Sequence, residues 1–298
     1  MSTNIELSKP RDFGEIISDT FTFIRQNFKP LLKYFFIICG FFILISTALA
    51  VLTQVKAVRV YSDSNPNSFD NDGKYSRLFA LGWGYIIYIA FLVLEHVAIT
   101  VMVLCFITLY KEKKNQVPEL DEMWGYFKYH YFRVLGSSVV VGILVLLGCV
   151  FCLIPGIYLY PIMVLVPCIM VIENASFGYS FNYSFRLIKD NWWATFGALV
   201  VMYIIVYVAS MVVILPATLL NAGSLIMHLT KRTPMTLTAG IVTAILGQSV
   251  HILYILMTVA ASLCYFNLTE SKEGTGLMER INQFGSTGPN AEETKEDY

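Results

Sequence analysis

Residues 134–172 read VLGSSVVVGILVLLGCVFCLIPGIYLYPIMVLVPCIMVI, a run of 39 residues without Asp, Glu, Lys, Arg or His. A membrane-spanning helix needs about 20 predominantly apolar residues. The run therefore has room for two spans if the chain turns inside it. Pro155-Gly156 stands near its middle and is a strong turn dipeptide. The reading is a hairpin, with spans at 134–154 and 157–172 and the second arm kinked by Pro161 and Pro167.

The same pattern extends in both directions. Apolar stretches at 31–54, 81–109, 193–220 and 237–267 bring the expected number of spans to six. Composition agrees. The 298 residues are 56% hydrophobic and 14% charged, against about 25% charged in soluble domains. The net charge is zero, and a neutral surface this apolar would be poorly soluble. No basic excess exists to neutralise phosphates, so nucleic acid is not an expected partner. The expected fold class is all-α, a polytopic membrane helical bundle. Residues 1–268 form one transmembrane domain, and 269–298 form a disordered acidic cytoplasmic tail. With the N-terminus inside, the inner segments carry 15 Lys and Arg and the outer ones 6. That bias places both termini in the cytoplasm.

An aromatic, amphipathic segment precedes each odd-numbered span. The first, 12–29, carries Phe13, Ile16, Ile17, Ile24 and Phe28. The second, 118–133, carries Leu120, Met123, Trp124, Phe127 and Tyr131. The third, 174–191, carries Phe177, Phe181, Phe185 and Ile188. All three are expected to lie on the cytoplasmic surface as interfacial helices. Ile24-Arg25-Gln26-Asn27-Phe28 also compares with Ile188-Lys189-Asp190-Asn191-Trp192. The pattern suggests one unit, a surface helix plus a hairpin, repeated three times.

Leu153-Ile154-Pro155-Gly156-Ile157-Tyr158-Leu159 is followed by Pro167, Glu173, Ser184-Phe185-Arg186-Leu187-Ile188-Lys189 and Trp192-Trp193. Arg11-x-Phe13-x-Glu15-Ile16 and Phe28-x-Pro30-Leu31-Leu32 precede them. In this order the motifs resemble the glycerophosphoryl diester phosphodiesterase membrane domain family of bacterial polytopic membrane proteins. The resemblance implies a place in the bacterial cytoplasmic (inner) membrane. It also implies structural roles for Pro155, Gly156, Pro167, Glu173, Ser184, Arg186 and Trp192. It does not imply phosphodiesterase activity. That activity belongs to a separate barrel of about 250 residues, and the longest soluble stretch here is the 30-residue tail.

Ionisable residues at membrane depth are functional candidates. Glu95 and His251 each lie 14 residues into a span that starts on the outer side, at Leu81 and Leu237. At 1.5 Å per residue both reach about 21 Å, a common depth. His96 and Thr100 share one helical stripe, and Gln248, His251 and Tyr254 share another. The expectation is that Glu95 meets His251 or the polar groups beside His96. Such a pair could relay protons or hold a polar ligand head, or it could simply fix helix register. Glu173 suits the start of the following helix, or a pairing with Arg186. The six cysteines read as packing residues. No metal site, cofactor or catalytic residue is expected. Ser138-x-x-x-Gly142 and Gly240-x-x-x-Ala244 read as close-packing stripes. The expected function is a non-enzymatic, membrane-embedded partner or lipid-interacting module. Its partners would be membrane lipids, other membrane proteins or further copies of the chain. The alternative is a small transporter or proton-coupled permease using Glu95 and His251.

Overall fold

The structure is a computed structural model that describes residues 5–62, 71–151, 153–231 and 237–274. Among these residues there are nine α-helices and no strand. They are α1 (Phe13–Tyr34), α2 (Gly40–Ser62), α3 (Asn71–Glu112), α4 (Leu120–Phe151), α5 (Leu153–Ile172), α6 (Phe177–Ile188), α7 (Trp192–Lys231), α8 (Leu237–Ser249) and α9 (Tyr254–Glu273). A π-helical turn, Phe35–Cys39, joins α1 to α2, and a 3-10 turn, Val250–Leu253, joins α8 to α9.

Five helical stretches are apolar and long enough to cross a membrane: Phe13–Val58, Gly82–Glu112, Leu120–Gly148, Trp192–Ser224 and Leu237–Glu273. Gly156–Ile172 of α5 is apolar but shorter. The core lies around α3. Val97, Ala98, Ile99, Val101, Met102 and Leu104 are almost wholly buried, so the second half of this helix is enclosed, while Trp83, Ile86 and Ile89 of its first half are exposed. The second half of α9 is buried in the same way, from Val259 to Leu268. In contrast, α4 exposes Val139, Val140, Ile143 and Leu146, and α7 exposes Tyr203, Ile204, Tyr207 and Val208. Soluble monomers rarely show apolar patches beyond a few hundred Å². The apolar outer belt is consistent with a membrane protein.

Several expected boundaries move. The hairpin turn is not made by Pro155-Gly156, because α4 ends at Phe151 and α5 already begins at Leu153. Proline is tolerated in a first helical turn, where its missing N–H has no helical acceptor. Gly156 instead lets the arms touch. A Cβ built on Gly148 would stand 3.4 Å from Gly156 Cα.

The three surface segments differ from one another. The first continues into α2 through a kink, with Asn27 at φ −110°, ψ 18° and Pro30 inside the helix. Its buried stripe is Ile16, Thr20, Phe23, Asn27, Leu31 and Tyr34, while Phe13 and Phe28 are exposed. The second is not a separate helix. No proline lies between Pro118 and Pro155, and α4 runs unbroken from Leu120 to Phe151. The third is discrete, since α6 is isolated by Asn174 at φ 51° and by the turn before Trp192.

Two helices overrun their expected ends. α7 continues past Pro216 to Lys231. α9 runs past 268 to Glu273, where Gly274 at φ 59° closes it. The expected tail beyond 274, residues 63–70, Cys152, and the side chains of Cys149, Pro155 and His228 lie outside the described residues.

Candidate functional site

Three helical elements converge on Glu95, a residue of α3 that is fully buried. Ser46 of α2 donates its hydroxyl to Oε2. The Gln248 amide at the end of α8 donates one N–H to Oε2 at 2.8 Å and another to Ser46 Oγ. His251 Nδ1, in the 3-10 turn, lies 2.7 Å from Oε1. Behind them, the Tyr88 hydroxyl reaches Gln248 Oε1 at 3.5 Å. A buried carboxylate is costly unless its lone pairs are filled. Here both oxygens are engaged. When Glu95 is ionised it only accepts, and the His251 contact then has Nδ1 as the donor. The 3-10 turn is an interruption within the Leu237–Glu273 helical run, a feature that often marks a hinge or strained site.

The other side of His251 faces a cavity of about 930 Å³. α3, α4, α5, α7, α9 and the 3-10 turn all contribute to its lining, and His96, Thr100, His251 and Tyr254 are among its polar residues, with Ser137, Ser138, Ser210 and Thr258. The His96 ring meets Tyr254 edge-on at 5.1 Å, and the His251 ring stacks on it at 5.3 Å. Tyr254 thus bridges the two imidazoles. Among the described residues, no Lys, Arg, Asp or Glu side chain lines the cavity. Pro167 lines it from α5.

Of the expected site residues, the structure brings Glu95, Gln248 and His251 into one cage. His96 stays outside it, in the cavity. The two small-residue stripes also part company. Ser138 and Gly142 border the cavity, and a Cβ on Gly142 would meet nothing within 4 Å. Gly240 does pack closely, because a Cβ there would stand 2.9 Å from Gln54 Cγ of α2.

The family-motif residues are spread from the start of α5 through α6 to the start of α7. Glu173 neither caps α6, whose N-cap is Ser176, nor meets Arg186. Its Oε1 accepts the Tyr265 hydroxyl at 2.6 Å. Loss of water contact raises the Glu173 carboxyl above its ordinary value. The Tyr265 bond opposes this shift, and Glu273 adds to it. Arg186 lies over the Tyr183 ring at 5.0 Å. Ser184 is buried and donates to Phe181 O at 2.8 Å. Trp192 Nε1 donates to Tyr158 O at 3.1 Å, and its ring stacks on Tyr158 and Phe196. Glu173 thus ties the end of α5 to α9, and Trp192 ties α7 to α5, while the Ser184 and Arg186 contacts stay within α6.

Sequence reasoning missed Ser46 and Tyr88, which complete the Glu95 cage. A hydroxyl inside an apolar span was the available signal. It also gave no role to Arg11, which is buried. Arg11 Nε pairs with Asp19 Oδ2 at 2.9 Å, Nη1 donates to Leu7 O, and the backbone N–H donates to Asn267 Oδ1. Arg11 fastens the N-terminal segment across α1 and α9. Among the described residues, no group of three His, Cys, Asp or Glu could hold a metal ion.

The fold and site define an all-helical bundle with a caged carboxylate beside a lateral apolar cavity. The family described as a domain of unknown function, DUF7847, matches residues 75–268, and the chain belongs to that family. This match carries no link to the phosphodiesterase membrane domain. No curated protein and no solved structure matches the chain.

Proposed function

We propose that the chain is a multi-pass membrane protein whose cavity between α4 and α7 holds lipid, making it a non-enzymatic lipid-interacting module. Six crossings follow if α1–α2, α3, α4, α5, α7 and α8–α9 each cross once, with α6 lying at the interface. The Lys and Arg bias then puts both termini in the cytoplasm. The order of the sequence motifs from Pro155 to Trp192 is what supports the likeness to the phosphodiesterase membrane domain, and with it a bacterial inner-membrane location.

One observation carries the lipid reading: a cavity of about 930 Å³ with a mainly apolar lining that includes two imidazoles. Its size matches that of small-molecule sites, about 300–1,000 Å³. Leu146, Tyr203 and Tyr207 at its rim are exposed, so an acyl or isoprenoid chain can enter sideways. The test is native mass spectrometry of protein released from lipid nanodiscs. Wild type should retain lipid, and Gly142→Phe, which fills the cavity, should lose it. Equal retention by both would refute the reading.

Proton-coupled permeation is a second reading, favoured because His251 touches both the caged Glu95 and the cavity. Proteoliposomes should then show proton flux that Glu95→Gln abolishes. Absence of flux in wild type removes this reading.

A further inference from the structure

We infer that the cavity selects a quinol-class lipid, meaning a planar aromatic head bearing hydroxyls on a single hydrophobic chain, with His251 as the residue that reads the hydroxyl. The inference rests on the lipid reading above and specifies its ligand.

Charge decides the first step. Among the described residues, the cavity lining offers no Lys or Arg to neutralise a phosphate or carboxylate. It offers no acidic side chain for an ammonium either, because Glu95 is fully buried with both oxygens engaged. A charged head of either sign would lie in an apolar setting without a counterion, which is costly. A neutral head avoids that cost.

Hydrogen bonding decides the second step. With Nδ1 against Glu95 Oε1, Nε2 is the ring nitrogen left to meet a ligand, and it offers a lone pair when the ring's single proton sits on Nδ1. The complement of that lone pair is an O–H donor. The Glu95 cage also fixes the ring's orientation, as a carboxylate behind a histidine does in other sites.

Ring geometry decides the third. Tyr254 lies against both imidazoles, and the Tyr203 and Tyr207 rings run nearly parallel, 16° apart, on the α7 wall. Flat aromatic surfaces on two sides of a cavity suit a planar ring better than an aliphatic alcohol. The apolar length between α4 and α7 then takes the chain.

The test titrates the purified full chain in nanodiscs with a decyl-substituted benzoquinol under anaerobic conditions. The same titration is run with its O-methylated ether, which lacks the O–H donors, and with 1-decanol. Wild type should bind the quinol saturably and about tenfold or more tighter than the ether, the value of one hydrogen bond in a dry site. His251→Phe, which has no acceptor, should bind the two equally while keeping its retained lipid. Gly142→Phe should lose both quinol binding and lipid retention. Equal affinity of wild type for quinol and ether would overturn the hydroxyl recognition. Decanol binding as tightly as the quinol would overturn the planar head. In both cases the lipid-holding cavity would stand. Retained lipid in Gly142→Phe would instead refute the cavity reading itself.

Discussion

Glu95 shows how one buried charge can organise a site. Its carboxylate accepts from Ser46, Gln248 and His251, which come from three different helical elements. Removing it leaves three donors without their acceptor. Glu95→Ala should therefore destabilise the bundle by about 3–5 kcal/mol, the usual cost of breaking a buried pair. Unfolding in mixed SDS micelles measures this, and a loss below about 1 kcal/mol would contradict the cage. Glu173 carries a pH prediction. Its folded carboxyl titrates above its ordinary value. The stability it contributes is therefore present at low pH, where the group is protonated in both states. That stability is lost as pH rises through the folded value. Glu173→Gln should flatten that part of the stability profile in thermal melts across the acidic range. An unchanged profile would assign the dependence to other groups. The sequence showed Glu95 and His251 because ionisable residues are rare inside spans. It could not show Ser46, because most span hydroxyls only bond back to their own helix, as Thr47 does to Ile43 and Thr53 to Leu49.

Among the elements, similar sequence patterns led to different structures. Gly240 and Gly142 both sit in small-residue stripes, but one faces a neighbouring helix and the other faces open space. Gly240→Leu should overpack the α8–α2 contact and cost about 1–3 kcal/mol. Gly142→Phe should leave stability near wild type. Circular dichroism melts of the two variants check the contrast, and equal losses would contradict the placement of α4. The stripe pattern was readable, but its partner was not, because spacing says nothing about what a face meets. The hairpin at 134–172 was readable too, since one charge-free run had to fold back. Its turn was displaced because proline also fits the first turn of α5. Discreteness of α6 came from Asn174 in the left-handed region, and a single asparagine is a weak signal beforehand.

Over the whole molecule, the cavity lies where the enclosed second half of α3 and the buried part of α9 meet α4 and α7, whose apolar surfaces are exposed. The overall composition had already announced an apolar bundle. It could not reveal that two of its outer helices leave a gap, since both read as uniform apolar runs.

The central claim is that this gap holds a lipid chain whose head reaches His251. Electron cryo-microscopy of the chain in nanodiscs, with a bound antibody fragment to aid alignment, tests it directly. The account predicts elongated density between α4 and α7, ending within hydrogen-bonding distance of His251. A gap closed by direct contact of α4 with α7, or one filled only with water, would contradict it.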